Sequence, residues 1–304
     1  MSARIALLCP GQGAQHADMF SILGGAASDA HGLGDVLGMA PSKAVADPVV
    51  LFSNRHAQPL LVAATLAAWE RVADAMPLPV VAAGYSIGEL SAHAVAGAIE
   101  GHAALALAAR RAALMDAAID PGAPQALMAV TGLRMAALLP LLEAHGLFPA
   151  IVNGDDAAIV GGRRRDLAAV QSALASTHAH VTPLPVEVAS HTPLLRPAAD
   201  AFRDALDGIA FGQWRFPVLA GIDASPVASA DAARAALARQ LAETIRWVDC
   251  MDALAESGIA AAIELGPGAG LARMFAARHP EIACRSIADF RTLDGLLSWL
   301  ERQL

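Results

Sequence analysis

The sequence predicts an α/β fold built around a largely parallel sheet. Short apolar runs typical of strands occupy residues 4–9 and 79–84, and the second leads directly into a helical pattern over residues 87–99. Alternation of short strands with longer helices is the pattern from which parallel sheets are built. The same alternation returns later, with a helix predicted at 193–206, a strand at 216–221, a helix at 231–243 and a strand at 260–264.

A different order of predicted strands and helices begins near Gln125. The predicted elements are a strand at 126–131, a helix at 135–145, strands at 149–153 and 157–161, a helix at 166–177 and a strand at 180–185. This βαββαβ order is that of the ferredoxin-like split unit. It predicts a small inserted subdomain.

The subdomain is expected to span residues 125–187 and to interrupt a large domain made from residues 1–124 and 188–304. A compact unit inserted into a larger one leaves a cleft at their junction, where we expect the active site. Residues 24–38 are typical of a glycine-rich loop region.

Composition excludes several classes of protein. The 304 residues include 21 basic and 29 acidic side chains, and a net charge of -8 provides no basic field for nucleic acid. The three cysteines are far apart and contain no Cys-x-x-Cys pair, so neither a disulfide framework nor a zinc site is indicated. No apolar run is long enough for a signal peptide core or a membrane span. We expect a cytoplasmic enzyme without a bound metal.

The segment G-Y-S-I-G, residues 84–88, has the pattern of a nucleophile elbow centred on Ser86. It follows an apolar strand and opens a helix, with glycines at the two positions where side chains would collide. This geometry exposes the serine hydroxyl and offers the backbone N–H of Ile87 to a developing oxyanion. Ser86 is therefore the candidate nucleophile.

A serine hydroxyl needs a base within hydrogen-bond reach, and His191 is the best candidate among the ten histidines. It follows Ser190 at the exit of the inserted unit, where the two domains must meet. His93 lies on the nucleophile's own helix and is expected to point away from the elbow.

Four motifs together resemble the malonyl-CoA:acyl carrier protein transacylase family. They are P-G-Q-G-A-Q at residues 10–15, G-Y-S-I-G-E at 84–89, S-H at 190–191 and E-L-G-P-G at 264–268. The resemblance spans nearly the whole chain. It implies an α/β-hydrolase-like large domain interrupted by a ferredoxin-like subdomain, in agreement with the order of elements described above.

The resemblance also assigns roles by position. It implies that Ser86 is the nucleophile, that His191 is the general base and acid, and that the backbone N–H groups of Gln12 and Ile87 form the oxyanion hole. Gln240 matches the family residue whose carbonyl oxygen holds the other ring nitrogen of the histidine, so that no acidic third residue is needed.

Arg111 matches the family arginine that binds the free carboxylate of malonyl. A guanidinium suits this role because its planar fork donates two charge-assisted hydrogen bonds to one carboxylate. The neighbouring Arg110 leaves the assignment open between two adjacent arginines. Ser190 is small, as in stand-alone bacterial transacylases, and would leave room for an acyl group.

Tyr85, the only tyrosine, stands where most of these transacylases have histidine. Together with the short region before residues 54–60 and the stretch 221–226, it resembles the epsilon subunit of malonate decarboxylase. That resemblance implies transfer of malonyl from malonyl-CoA to a small carrier subunit whose thiol sits on a phosphoribosyl-dephospho-CoA arm. The alternative is a transacylase of fatty-acid or polyketide synthesis, whose carrier bears phosphopantetheine.

Two further classes of function stay open. One is an ordinary α/β hydrolase that releases the acyl group to water, although the His-Gly-Gly-Gly oxyanion loop common in that class is absent. The other is a docking subunit without catalysis, in which the elbow, His191 and Arg111 would be superfluous.

Several polar or glycine-rich features have simpler interpretations. Residues 266–270 lack the Gly-Lys-Ser/Thr ending of a phosphate cradle and are expected to form a tight turn. Asp155 and Asp156 are expected in a turn rather than at a metal, with Asn153 before them facing the cleft. The cluster 163–165 is either a solvated group of arginines or a receiver for an acidic carrier or CoA phosphates.

Overall fold

The computed structural model describes residues 4–24, 30–175 and 177–304. The strands in these ranges are β1 (Ile5–Cys9), β2 (Val81–Gly84), β3 (Gln125–Thr131), β4 (Phe148–Gly154), β5 (Ala157–Arg163), β6 (His180–Pro183), β7 (Val218–Leu219), β8 (Pro226–Val227), β9 (Ala261–Glu264) and β10 (Ala283–Ser286). The α-helices in these ranges are α1 (Leu33–Leu37), α2 (Pro41–Ala46), α3 (Pro48–Phe52), α4 (Asn54–Val72), α5 (Ile87–Val95), α6 (Gly101–Ala117), α7 (Met135–Ala144), α8 (Arg164–Leu174), α9 (Arg196–Asp207), α10 (Ala230–Arg239), α11 (Trp247–Glu256), α12 (Gly270–Arg278) and α13 (Leu293–Glu301).

The larger sheet has the strand order β10–β9–β1–β2–β7–β8 within the described residues. Its first five strands are parallel, and only the β7–β8 pair is antiparallel. Because β1 lies between β9 and β2, the chain leaves the sheet centre in both directions. In open α/β sheets a crevice forms at such a switch point, outside the carboxyl ends of the strands. The predicted α/β class with a parallel sheet is confirmed.

Helices cover both faces of this sheet. In β1, Ile5, Leu7 and Cys9 face the core formed with helices α4, α5, α6 and α9. Ala6 and Leu8 face the opposite core, which includes α11 and α12. The sequence of a strand that is buried on both faces is a continuous apolar run, and residues 5–9 form such a run.

The smaller sheet has the order β4–β5–β3–β6, and every pairing in it is antiparallel. Helices α7 and α8 pack on one face, where Leu138 and Leu167 join Val130 and Val160 in a separate core. The element order βαββαβ is the one predicted. All four strands lie between residues 125 and 183, while the domain boundaries themselves stay a prediction.

Strand β4 binds the small sheet to the large domain through the main chain. The Ile245 N–H donates to the Ala150 carbonyl at 3.0 Å, and the Val152 N–H donates to the Ile245 carbonyl at 2.8 Å. The Thr244 hydroxyl adds a bond to the Pro149 carbonyl at 2.6 Å. The segment that follows α10 is therefore held by the inserted sheet.

Several elements differ from their predicted bounds. The helix expected at 87–99 ends at Val95, because Gly97 has a φ of 86° that terminates it. The strand expected at 216–221 is reduced to Val218–Leu219. The short edge strands β8 and β10 were not predicted, since β8 has two residues and begins with proline and β10 contains arginine and serine.

The region predicted as a glycine-rich loop, residues 24–38, lies partly outside the described residues. Within them, Leu33–Leu37 forms the short helix α1, which buries Leu33 and Leu37. Among the helices of the described ranges, none combines the length and apolar character that crossing a membrane requires.

Candidate active site

The elbow at Ser86 explains the glycines on either side of it. Ser86 adopts φ 56° and ψ -118° between β2 and α5, a conformation that a non-glycine residue rarely takes. A Cβ atom on Gly84 would lie 2.1 Å from the backbone carbon of Gly88. A Cβ on Gly88 would lie 2.1 Å from the Cys9 carbonyl oxygen. Only glycine fits at both positions, so the strained turn fixes the sequence pattern.

Ser86 and His191 lie within hydrogen-bond distance. The Ser86 Oγ is 2.8 Å from the His191 Nε2, and His191 itself is 1% exposed. His191 also has a positive φ, 62°, and its backbone N–H donates to the Leu241 carbonyl at 2.8 Å. Both residues of the pair therefore have a positive φ, which residues other than glycine rarely adopt.

The main-chain carbonyl of Gln240 sets the tautomer of His191. It lies 2.5 Å from the His191 Nδ1, and a carbonyl oxygen can only accept. The proton therefore sits on Nδ1, and Nε2 presents a lone pair to the Ser86 hydroxyl. Gln240 can serve because α10 ends at Arg239, four residues before the predicted end, so Gln240 follows as the capping residue.

Burial, together with the smaller effect of the nearby positive charge of Arg111, lowers the pKa of His191 to about 3, against the opposing effect of the hydrogen bond to the Gln240 carbonyl. The imidazole is therefore neutral near pH 7. A neutral imidazole with a free lone pair toward a hydroxyl is the form that accepts a proton.

The turn after β1 lies against the elbow. The Tyr85 N–H donates to the Cys9 carbonyl at 3.0 Å, and a Cβ on Gly11 would lie 2.6 Å from the Tyr85 carbonyl oxygen. Gln12 follows in this turn, and Ile87 is the first residue of α5. The first N–H groups of a helix have no partner within it. The oxyanion hole formed by Gln12 and Ile87 stays a prediction that this placement allows.

Arg111 rather than Arg110 lies at the site, since Arg110 is exposed and Arg111 is 2% exposed. One edge of the Arg111 guanidinium is held tightly, with Nη1 donating to Gln58 Oε1 at 2.7 Å. The other edge, Nη2, makes only long contacts, 3.4 Å to Ser86 Oγ and 3.3 Å to Gln240 Oε1. A buried cation with one weakly bound edge beside a nucleophile is suited to receive an anionic group of a substrate.

Sequence reasoning missed Glu89 and Gln58, which are both fully buried. Glu89 lies one turn after Ser86 and accepts from the Gly221 N–H at 2.9 Å. Burial raises the pKa of Glu89 to about 8, against the effects of that hydrogen bond and of Arg111. Other polar residues accompany them, Ser91 and His93 in α5 and Asn54 and Arg55 in α4, so the sequence alone gave no signal that singled out either residue.

The remaining predicted residues lie around the pair. Tyr85 donates its hydroxyl hydrogen to Asn153 Oδ1 at 3.2 Å and contacts Trp247 edge-on, with ring centroids 5.3 Å apart. Burial raises the pKa of Tyr85 to about 12. Asn153 thus joins the elbow to strand β4 of the inserted sheet. Ser190 is buried directly before His191.

A cavity of about 810 Å³ lies between the small sheet and the corner formed by helices α3 and α4. Its lining includes Gln12 from the turn after β1, Phe52 and Asn54 from the α3–α4 corner, Leu127 from β3, and Leu184, which directly follows β6. The residues that line it do not include Ser86, His191 or Arg111, and Gln12 is the predicted site residue that borders it.

Asp155 and Asp156 form the predicted turn between β4 and β5. In the part of the chain that the structure describes, no three His, Cys, Asp or Glu side chains are grouped as a metal site would require.

The fold and the Ser86–His191 geometry are those of serine-dependent α/β enzymes. Comparison with known proteins narrows this class. Residues 7–280 match the family described as acyl transferase domain, and the chain belongs to that family. It is an acyltransferase.

Relatives with known names extend along nearly the whole chain. A malonyl CoA-acyl carrier protein transacylase of Mycobacterium bovis is 35% identical over 305 residues, covering 96% of this chain and 100% of that protein. A solved complex of a type II polyketide synthase acyl-carrier protein with its malonyl-transacylase matches with a TM-score of 0.90 and 28% identity, covering 99% of this chain and 100% of that one. A solved acyl carrier protein S-malonyltransferase of Vibrio cholerae matches with a TM-score of 0.89 and 28% identity, covering 97% and 100%.

Proposed function

We propose that this chain is a malonyl-CoA:acyl carrier protein transacylase of the fatty-acid or polyketide synthesis type. The observation that carries the proposal is the buried guanidinium of Arg111, whose weakly held Nη2 lies 3.4 Å from the Ser86 hydroxyl. A dicarboxylic acyl group bound as a thioester carries one free carboxylate close to its reacting carbonyl. We call Arg111 the carboxylate clamp. Its distance from Ser86 suits a malonyl group.

In the first half-reaction, the Ser86 Oγ attacks the thioester carbonyl of malonyl-CoA and passes its proton to the His191 Nε2. The backbone N–H groups of Gln12 and Ile87 bind the oxyanion of the tetrahedral intermediate. As the carbon–sulfur bond breaks, His191 returns the proton to the departing CoA thiolate. A malonyl ester on Ser86 remains.

In the second half-reaction, the carrier's thiol gives its proton to His191 and attacks the ester. The new carbon–sulfur bond forms, the bond to Ser86 Oγ breaks, and the proton returns to the serine. Neutral His191 can act in both directions because the Gln240 carbonyl stabilises the imidazolium as it forms, in place of an acidic residue. Ping-pong kinetics follow from the covalent intermediate.

The malonate decarboxylase epsilon subunit is a second candidate. It is favoured by Tyr85 beside the nucleophile, where its hydroxyl binds Asn153, and by the stretch 221–226. The similarity to the malonyl CoA-acyl carrier protein transacylase of Mycobacterium bovis and to the malonyl-transacylase solved with a type II polyketide synthase acyl-carrier protein favours the fatty-acid or polyketide type over this subunit.

One experiment separates the candidates. The protein is incubated with malonyl-CoA and either of two carriers, one bearing phosphopantetheine and the other the phosphoribosyl-dephospho-CoA arm, and the initial rates of malonyl transfer are compared. Faster transfer to the phosphopantetheine carrier is expected. Preference for the other arm would assign the decarboxylase role, and steady release of free malonate without any carrier would indicate a hydrolase.

A further inference from the structure

A chain of hydrogen-bonded side chains runs from the carboxylate clamp to the cavity. Arg111 Nη1 donates to Gln58 Oε1 at 2.7 Å, and Gln58 Nε2 donates to Asn54 Oδ1 at 2.7 Å. Asn54 Nδ2 in turn donates to Asp116 Oδ1 at 2.7 Å and to the Ala112 carbonyl at 3.2 Å. Asn54 and Asp116 both line the cavity.

These side chains can donate their hydrogen bonds in only one order along the path, and the acceptors at its outer end determine that order. Ionised Asp116 and the Ala112 carbonyl can only accept, so they turn the NH₂ group of Asn54 outward and its oxygen inward. The Asn54 oxygen then accepts a hydrogen bond from the NH₂ group of Gln58, and the Gln58 oxygen is left facing Arg111. If Gln58 were reversed, its NH₂ group would meet the N–H groups of the guanidinium. A buried cation facing a donor loses a hydrogen bond that water cannot replace.

This order matters because only one edge of the Arg111 guanidinium is tightly bound. The 2.7 Å bond to Gln58 holds Nη1, whereas the contacts of Nη2 to Ser86 and Gln240 are 3.3 Å or longer. The tight bond therefore decides which edge remains for the substrate. Asp116 also adds negative charge near one end of a path whose other end is a buried cation.

We infer that Gln58, Asn54 and Asp116 are positioning residues that orient the Arg111 guanidinium and thereby set selectivity for an acyl group with a free carboxylate. This inference rests on the proposed function, since it assumes that Arg111 binds malonyl. None of the three residues needs to touch the reacting atoms. Asn54 and Asp116 lie at the cavity, so an occupant of the cavity that competes for them also alters the clamp.

The test compares malonyl-CoA with acetyl-CoA, because acetyl has no carboxylate for the clamp. Asn54→Leu breaks the chain in its middle, and we expect the malonyl to acetyl ratio of kcat/KM to fall about fivefold. Asp116→Asn removes the negative charge and replaces a group that can only accept with an amide that can also donate, so it should lower the ratio about twofold, with recovery in Asp116→Glu. Rates of acetyl transfer should stay within about twofold of the unsubstituted protein.

Asp74→Asn provides the matched control, since Asp74 is exposed just beyond the end of α4 and its substitution makes the same charge change. Asn54→Leu is the variant that could fail to fold, whereas Asp116 is exposed, so Asp116→Asn keeps the inference testable. Equal losses of malonyl and acetyl transfer, or an unchanged ratio in both variants, would overturn the inference.

The same experiment with Arg111→Ala separates the two proposals. If Arg111→Ala lowers the ratio and the Asn54 and Asp116 variants do not, the role of Arg111 in binding malonyl is supported and the positioning role of the other residues is refuted. If Arg111→Ala leaves the ratio unchanged, the proposed malonyl function itself fails.

Discussion

Two buried histidines lie in comparable surroundings but have opposite hydrogen-bond arrangements. His191 and His93 are at most 1% exposed, and the pKa of each is lowered to about 3, with burial as the largest cause. The Nδ1 of His191 donates to the Gln240 carbonyl, whereas the Nδ1 of His93 accepts from Trp214 Nε1 at 3.0 Å. His191 therefore presents a lone pair at Nε2, and His93 presents an N–H that has no partner among the described residues.

This comparison shows that burial and a lowered pKa do not by themselves identify a catalytic base. What distinguishes His191 is an acceptor behind one ring nitrogen and a hydroxyl 2.8 Å in front of the other. A second distinction is Arg111, whose charge contributes to the lowered pKa of His191, while for His93 the cause is burial alone.

The largest expected effect is on transfer when His191 is replaced. His191→Ala should lower kcat/KM for malonyl transfer roughly 10²- to 10⁴-fold, because Ser86 loses the group that takes its proton. The measurement is the initial transfer rate, with circular dichroism to verify folding. A loss smaller than tenfold in a folded variant would mean that another group serves as base.

Arg111→Ala should have the next largest effect on malonyl transfer. It should also change the pKa of His191 without changing that of His93. Malonyl transfer is expected to fall roughly 10- to 100-fold, the range for a lost charge-assisted hydrogen bond, while acetyl transfer falls much less. The pKa of His191, followed by NMR, should rise, and that of His93 should not change. Equal losses with both acyl donors would refute the clamp.

His93→Gln should have the smallest effect on activity. It should clearly change how the free energy of unfolding depends on pH. Transfer is expected within about twofold of the unsubstituted protein, since glutamine still offers Trp214 an acceptor and His93 lies outside the reacting pair. The pKa of His93 is lower in the folded protein than in the unfolded chain. Below about pH 6.5 the unfolded chain therefore binds protons that the folded state does not.

The free energy of unfolding falls as pH drops through this window, by about 1.4 kcal/mol per pH unit for each such histidine, until the folded state also protonates near pH 3. His93→Gln removes the contribution of His93 and leaves that of His191. Urea unfolding between pH 6 and pH 4 should show a shallower fall in the variant. Parallel curves for the two proteins would contradict the comparison.

Much of the fold was predictable because periodicity and glycine placement are local. The strand before Ser86, the glycines at 84 and 88 and the βαββαβ order are all visible in sequence and present in the structure. The edge strands β8 and β10 were not predictable, since four residues or fewer with mixed polarity leave no periodic signal.

The candidate site was predictable where a motif carried it and not where tertiary contacts decide it. Ser86, His191, Arg111 and Gln240 were named from sequence, and the structure brings them together. Glu89, Gln58 and Asn54 were not assigned to the site, because their importance depends on burial and on partners far away in sequence. The catalytic roles stay predictions until they are measured.

The most direct test of the central claim, that Ser86 is the acylated nucleophile, is intact-protein mass spectrometry after brief incubation with malonyl-CoA in the absence of carrier. The account predicts one malonyl adduct on the unsubstituted protein, mapped to the peptide that contains Ser86, and no adduct on Ser86→Ala. A malonyl adduct retained by Ser86→Ala, or mapped to any other residue of the unsubstituted protein, would contradict it.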